Sequence, residues 1–311
     1  MSNMKPGLLA WGASQKPPRL KTVHVPALGT VNLVSPSSTF LDLVQWTIPH
    51  PYERKYYDKV LSGLGWKWDN GVYRLEIHSD PEDAATACLF MAHLDTVTVL
   101  PRKIPLRVRH GLVDSPGAIL GGDDRCGVAL ILYLAHKIRL PGRYLLTTGE
   151  ECGCLGFRSF LDASNPDVFS DISLCISLDR KGTTDIVTHQ LGDELATPTY
   201  ALVLADLLAE QGMRYEPSPE GLFTDSYELA GLPIQVVNLS VGYYDAHSKQ
   251  ESVDLHHLDR LGVALANLDY QALVACAEQE NELQAHDSAY EGIPDNDVLW
   301  SWSWKGEDDA I

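Results

Sequence analysis

The chain has 311 residues, of which 45% are apolar and 21% charged, and its formal net charge is −18 at neutral pH. This composition is typical of a globular protein with one large core. The strong negative charge, with no basic stripe to offset it, excludes nucleic acid as the expected partner. No segment approaches the roughly 18 apolar residues of a membrane helix, so we expect neither a signal peptide nor a membrane span. The six scattered cysteines indicate reduced thiols and a cytoplasmic location.

Three regions are predicted along the chain: an N-terminal extension over residues 1–35, one folded domain over 36–277, and a C-terminal tail over 278–311. The last 35 residues hold ten acidic side chains and a single lysine. The tail also carries three tryptophans at alternate positions, Trp300, Trp302 and Trp304. Their spacing places the three indoles on one face of an extended segment. A solvated tail, a tail docked on the protein itself and a tail docked on a partner all fit this pattern.

Hydrophobic periodicity predicts helices that alternate with buried strands. In chain order, the pattern indicates a helix at 52–64, strands at 73–79 and 87–92, a hairpin-like stretch at 99–122, a helix at 124–138, strands at 143–148 and 172–178, a helix at 199–211, a strand at 233–241, and a helix at 255–276. This alternation predicts a single three-layer α/β/α domain with an open, mainly parallel central sheet.

Histidines and carboxylates follow four of the predicted strands. They are His93 and Asp95, Glu150 and Glu151, Asp179, and, a short loop after the last strand, His247. The carboxyl ends of parallel strands meet at one edge of a sheet, where open α/β folds bind their ligands. We therefore expect these side chains to lie close together.

Two adjacent aspartates, Asp123 and Asp124, stand between a pair of glycines and the predicted helix 124–138. So many carboxylates at one edge would raise one another's pKa and resist burial unless cations balance them. Imidazole with carboxylate suits zinc, with cobalt or manganese as substitutes, and one carboxylate can bridge two ions. Each motif alone has a simpler interpretation, because Gly-Gly-Asp-Asp also fits a helix N-cap and Glu-Glu a solvated loop.

Five segments in order strengthen the metal hypothesis: MAHLDTV, LGGDDRCGVA, TTGEECGCLGF, ISLDRKG and YYDAHSKQESV. Together they resemble the motif series of the co-catalytic zinc exopeptidase superfamily, which includes bacterial zinc aminopeptidases, tripeptidase T and carboxypeptidase G-like enzymes. The resemblance covers about residues 85–260. It implies a zinc-exopeptidase (phosphorylase-like) fold and a catalytic role for the domain 36–277.

The resemblance also implies a role for each motif residue. His93, Asp123 and Asp179 would bind one zinc ion, and Asp123, Glu151 and His247 the other. Glu150 would be the general base that takes a proton from the attacking water, and Asp95 would orient His93. The Asp123–Asp124 peptide bond would be cis, and Asp124 would shape the turn that presents Asp123.

Substrate-binding residues are less well defined. Many relatives carry an inserted lid between the third carboxylate ligand and the last histidine, but the short interval here resembles the compact, lid-less branch. Some compact aminopeptidases place an oxyanion-binding tyrosine directly before that histidine, where this chain has Ala246. Tyr243 or Tyr244 could replace it, or both could be packing residues. Arg180 and Lys181 could meet the carboxylate of a short peptide, or they could be ordinary surface charges. Asp225 is a candidate substrate contact or a residue that supports the site residues from behind.

The sequence therefore predicts a two-zinc metallopeptidase, an aminopeptidase or di/tripeptidase, that hydrolyses short peptides with metal-activated water. The alternative is a carboxypeptidase or N-acyl amino acid amidohydrolase of the same superfamily. A second alternative is a non-catalytic metal-binding scaffold, which Glu150 disfavours because a structural zinc site needs no spare base. The oligomeric state is left open.

Overall fold

The computed structural model describes residues 26–78 and 84–291. Most of the predicted N-terminal extension and the three alternating tryptophans lie outside these residues. The domain boundaries stay predictions: the first helix begins at Pro36, whereas the last helix runs through residue 277 without a break.

The described residues form seven α-helices and sixteen strands. The helices are α1 Pro36–Leu43, α2 Glu53–Gly63, α3 Gly122–Leu132, α4 Leu155–Ala163, α5 Pro198–Glu210, α6 Leu255–Ala266 and α7 Tyr270–Glu291. The strands are β1 Trp46–Thr47, β2 Lys67–Asp69, β3 Val72–Ile77, β4 Cys88–His93, β5 Arg102–Lys103, β6 Arg107–Arg109, β7 Leu112–Asp114, β8 Gly142–Thr147, β9 Leu174–Arg180, β10 Asp185–Val187, β11 His189–Gln190, β12 Asp193–Glu194, β13 Glu216–Ser218, β14 Gln235–Ser240, β15 Tyr243–Tyr244 and β16 Ser252–Asp254.

An eight-stranded sheet in the order β13-β10-β14-β9-β4-β8-β3-β2 forms the centre of the domain. Its middle strands, β14, β9, β4 and β8, are all parallel to their neighbours in this group. Strand β4 lies between β8 and β9 and is buried along its whole length, which explains its continuous apolar sequence. The predicted open, mainly parallel sheet is therefore confirmed.

Helices cover both faces of this sheet. Because side chains alternate along a strand, Phe90 and Ala92 of β4 pack in the core that includes α3. Leu89 and Met91 point the other way and pack in a second core with Phe157 and Phe160 of α4. The fold is thus the predicted three-layer α/β/α domain. No helix within residues 26–78 and 84–291 has the length and apolar character that crossing a bilayer requires.

A second, smaller sheet in the order β15-β16-β7-β6 stands beside the main one. It contains the predicted hairpin, in which β6 and β7 are joined at His110 and Gly111, both with positive φ. Strand β16 pairs with β7 and β15 and so holds both ends of the loop 245–251, which carries His247.

The predicted helix 255–276 is wrong in one respect, because the chain forms two helices there. Helix α6 ends at Ala266, and α7 begins at Tyr270. The carboxylate of Asp269 accepts a hydrogen bond from the amide of Ala272 at 3.0 Å. This side chain caps the first turn of α7, which favours a new helix start over a continuous helix.

Candidate active site

The predicted site residues all reach the carboxyl edge of the central sheet. His93 ends β4, Asp179 lies near the end of β9, and Glu150 and Glu151 form a 3₁₀ turn after β8. His247 comes from the loop between β15 and β16. The prediction that successive strands deliver these side chains to one place is therefore confirmed.

Asp123 and Asp124 stand at the start of α3, and the peptide bond between them is cis, as the resemblance implies. Asp124 is fully buried. Its carboxylate accepts hydrogen bonds from the amides of His93 at 3.1 Å and Gly127 at 3.0 Å. Asp124 thus fastens α3 to the end of β4, while the side chain of Asp123 remains available to the site.

Two groups of possible metal ligands share Asp123: the first is His93, Asp123 and Asp179, and the second is Asp123, Glu151 and His247. Oδ1 of Asp123 lies 3.0 Å from Nε2 of His93, and Oδ2 lies 3.1 Å from Nε2 of His247. Each carboxylate oxygen therefore faces a different histidine. This is the arrangement that a carboxylate shared by two cations requires.

Asp179 completes the first group of possible ligands, and Glu151 completes the second. Oδ1 of Asp179 lies 3.7 Å from Nε2 of His93. Oε1 of Glu151 lies 2.8 Å from Nε2 of His247 and is buried. A buried carboxylate oxygen so close to a histidine nitrogen fits a pair of metal ligands, because a cation would satisfy both atoms.

The electrostatics also favour a cation. Burial and the nearby carboxylates of Asp124 and Asp123 raise the pKa of Asp179 well above its usual range. Burial opposes ionisation of Asp123 as well, but hydrogen bonds from His247 and His93 outweigh it and lower the pKa of this carboxyl. Such a cluster of buried carboxyl groups is stable in its ionised form when a cation balances the charge.

Glu150 stands beside the two groups without belonging to either. Its Oε2 lies 4.0 Å from Nε2 of His93. Burial raises the pKa of Glu150 to about 8; His93 opposes this shift, and the carboxylates of Asp225 and Glu151 add to it. A carboxyl with a pKa near neutrality suits proton transfer in both directions.

Asp95 connects His93 to the turn of the two glutamates. One carboxylate oxygen lies 3.5 Å from Nδ1 of His93 and accepts a hydrogen bond from the amide of Glu150 at 3.1 Å. The other oxygen accepts from the amide of Glu151 at 3.2 Å. Asp95 is fully buried, so it fixes three candidate site residues relative to one another.

Sequence reasoning missed two residues that hold the site. The buried carboxylate of Glu251 accepts hydrogen bonds from the amides of Gly121 at 2.7 Å and Asp123 at 3.1 Å. The amide group of Asn238 clamps the backbone of Asp179, accepting from its N–H and donating to its carbonyl, both at 2.9 Å. Asn238 could have been found as a polar residue within an apolar strand. Glu251 could have been found because it lies in the last of the five motifs.

A cleft of about 1000 Å³ opens over the two groups. Besides both glutamates, Asp123, Asp179 and His247, its lining includes Arg180, Lys181, Leu222, Phe223, Tyr243 and Tyr244. Between Asp179 and His247 the chain forms strands β10 to β15, helix α5 and connecting turns of the same domain, so this described interval contains no inserted lid.

The two tyrosines differ in position. Tyr243 is buried, and its hydroxyl donates a hydrogen bond to Oδ1 of Asp179 at 3.2 Å. Tyr244 is 37% exposed at the rim. The structure therefore brings one of the two candidate phenols to the ligand groups.

Two of the other three candidate substrate residues, Arg180 and Asp225, have partners within the protein. Arg180 donates from Nε at 3.0 Å and from Nη2 at 2.9 Å to Oδ2 of Asp185. Asp225 is buried, accepts a hydrogen bond from the hydroxyl of Thr147, and has a pKa raised to about 6 by burial. The adjacent Thr224, rather than Asp225, lines the cleft.

A sheet edge with paired histidine and carboxylate groups, a spare glutamate and an open cleft defines the class of metal-dependent peptidases. Residues 74–260 match the sequence profile of peptidase family M28, and the chain belongs to this family. A comparison with curated protein sequences finds no significant match.

Several solved structures share the fold. Aminopeptidase PepT from Bacillus cereus is 16% identical with a TM-score of 0.60, over 80% of this chain and 100% of that one. A tripeptidase from Staphylococcus aureus is 15% identical with a TM-score of 0.57, over 80% and 100%. An aminopeptidase from the archaeon Desulfurococcus kamchatkensis is 14% identical with a TM-score of 0.56, over 78% and 97%. At these identities, the likeness shows the fold alone.

Proposed function

We propose that the protein is a two-zinc exopeptidase that removes residues from the free amino end of short peptides. The main support for this proposal is the position of Asp123. Its Oδ1 lies 3.0 Å from Nε2 of His93, and its Oδ2 lies 3.1 Å from Nε2 of His247. A site with one ion would not need a carboxylate placed in this way. The solved aminopeptidases and tripeptidase that share the fold add support.

Both ions would be held by the two groups that share Asp123. His93, Asp123 and Asp179 would bind one zinc, and Asp123, Glu151 and His247 the other. Cobalt or manganese would also suit these ligands. When bound, zinc lowers the pKa of a coordinated water toward about 7 and polarises the scissile carbonyl.

The chain's own residues would perform the proton transfers. Glu150 would accept a proton from the attacking water at its carboxylate and pass it to the nitrogen of the leaving amine. Asp95 would keep His93 oriented and, through its bonds to the amides of Glu150 and Glu151, would hold the base in place. General acid–base catalysis of this kind contributes typically about 10²–10⁴-fold.

A carboxypeptidase or N-acyl amino acid amidohydrolase is the alternative with the same chemistry. The exposed carboxylate of Asp245, which lines the cleft, favours a substrate with a free ammonium group instead. A non-catalytic scaffold is disfavoured because Glu150 belongs to neither ligand group.

The proposal is tested by activity with and without metal. We expect the zinc-loaded protein to hydrolyse leucine p-nitroanilide, to leave N-acetyl-leucine intact, and to lose activity on chelation and regain it with zinc. Metal analysis is expected to give two ions per chain. Turnover of N-acetyl-leucine alone would favour the amidohydrolase, and two bound ions without turnover of either substrate would favour the scaffold.

The tyrosines offer a further prediction about the oxyanion. A phenol is neutral at pH 7 and can donate a hydrogen bond to developing negative charge. Tyr243 lies beside Asp179 whereas Tyr244 lies at the rim, so the single O–H of Tyr243 would turn from Asp179 to the oxyanion during the reaction. We therefore expect Tyr243→Phe to lower kcat by about 10–10³-fold with unchanged metal content. Tyr244→Phe is the matched control and should be nearly silent. If both variants and the double variant match the parent, neither phenol assists the reaction.

A further inference from the structure

Lys181 is an exposed cation in the wall of the active-site cleft. It lies two residues after Asp179, just beyond β9, and both residues line the cleft. Its backbone is fixed, since the hydroxyl of Ser240 donates to the carbonyl of Lys181 at 2.7 Å. The next amide, that of Gly182, donates to the carbonyl of Tyr243 at 2.8 Å. The lysine side chain therefore extends from an anchored part of the chain.

Within the part of the chain that the structure describes, the charge of Lys181 is not balanced by an ion pair. Arg180, the neighbouring cation in the cleft, is bound to Asp185. No carboxylate among the described residues forms an ion pair with Lys181. The rest of the lining is rich in carboxylates, among them Asp179 and Asp245. The Lys181 ammonium is thus the positive group that a bound anion would meet in this cleft.

The spacing fits a short peptide. Residues two apart in an extended strand are separated by about 7 Å, and consecutive Cα atoms by about 3.8 Å. In a dipeptide or tripeptide whose scissile carbonyl lies beside Asp179, the C-terminal carboxylate is one or two residues further on. It therefore lies about 4–7 Å from the scissile bond. The flexible lysine stem covers this range.

We propose that Lys181 forms a carboxylate subsite that binds the free C-terminal carboxylate of dipeptides and tripeptides. This proposal rests on the proposed function and narrows it, because a longer peptide has no carboxylate at this distance from the scissile bond. An amide or ester at the C-terminus would lose the same contact. The subsite would thus make the protein a di/tripeptidase rather than a general aminopeptidase.

Matched substrates test the subsite. We expect the parent protein to prefer leucyl-glycine and leucyl-glycyl-glycine over their C-terminal amides. Lys181→Met keeps most of the side-chain volume but removes the charge, and it should lower kcat/KM for the two free acids about 10-fold, chiefly through KM. The same change should leave both amides within about twofold of the parent. Lys181→Arg, which keeps the charge, should retain most of the preference.

The control is Lys249→Met, which removes an exposed lysine of the His247 loop that does not line the cleft. It should leave all four substrates unchanged. Equal losses with acids and amides in Lys181→Met, or no loss with either, would overturn the subsite while the proposed peptidase stands. Failure of the metal-loaded parent to hydrolyse any of the four peptides would refute the proposed function, and the subsite with it.

Discussion

Replacement of Glu150 by Gln is expected to lower kcat by at least about 100-fold while both metal ions stay bound. Gln keeps the size and position of the side chain but cannot accept a proton. Glu150 lies beside His93 and outside both ligand groups, so its loss should not release metal. Steady-state kinetics on leucine p-nitroanilide and metal analysis of the same sample measure the two effects separately.

Glu151→Ala is the matched comparison, because it changes the next residue of the same 3₁₀ turn. Glu151 belongs to the second ligand group, so this variant should lose one ion. If Glu150→Gln loses an ion and Glu151→Ala keeps both, the roles assigned to the two glutamates are reversed.

The layout of the site could be predicted because it follows from the order of strands. Once 87–92, 143–148 and 172–178 are assigned as parallel strands, His93, Glu150 and Asp179 must meet at their carboxyl edge. The motif series then assigned a role to each residue, and the structure places all five proposed ligands within two compact groups.

The supporting contacts could not be predicted in the same way. Glu251 reaches Gly121 and Asp123 from far along the chain, and Asn238 reaches Asp179 from the neighbouring strand. Such contacts depend on how the loop 245–251 packs on α3 and on the register of β14 against β9, where the pairing shifts between Asn238 and Ser240. Local periodicity contains no information about either.

The candidate substrate residues show the same limit. The sequence placed Arg180 and Lys181 together as possible carboxylate contacts, but it could not show that Asp185 pairs with only one of them. Likewise, Tyr243 and Tyr244 were equivalent in sequence, and the alternation of side chains along β15 separates them into one buried and one exposed ring.

Asp123→Ala is expected to abolish binding of both ions and to lower kcat/KM by at least about 10³-fold. Two bound ions contribute several kcal/mol of transition-state stabilisation, and about 1.4 kcal/mol corresponds to each tenfold change in rate. Because Glu251 contacts the amide of Asp123 and not its side chain, the start of α3 should keep its hydrogen bond in the variant. Far-ultraviolet circular dichroism of the metal-free parent and variant tests whether the fold is retained.

A series of single variants distinguishes a shared carboxylate from two independent sites. Asp179→Ala and Glu151→Ala each remove a member of only one group, so each should retain one ion per chain, whereas Asp123→Ala should retain none. Asp245→Ala is the control, since this exposed carboxylate lines the same cleft outside both groups and should leave two ions bound. If Asp123→Ala retains one tightly bound ion, that ion does not depend on Asp123. The carboxylate would then belong to a single metal site, and the close approach of its second oxygen to His247 would be an ordinary hydrogen bond.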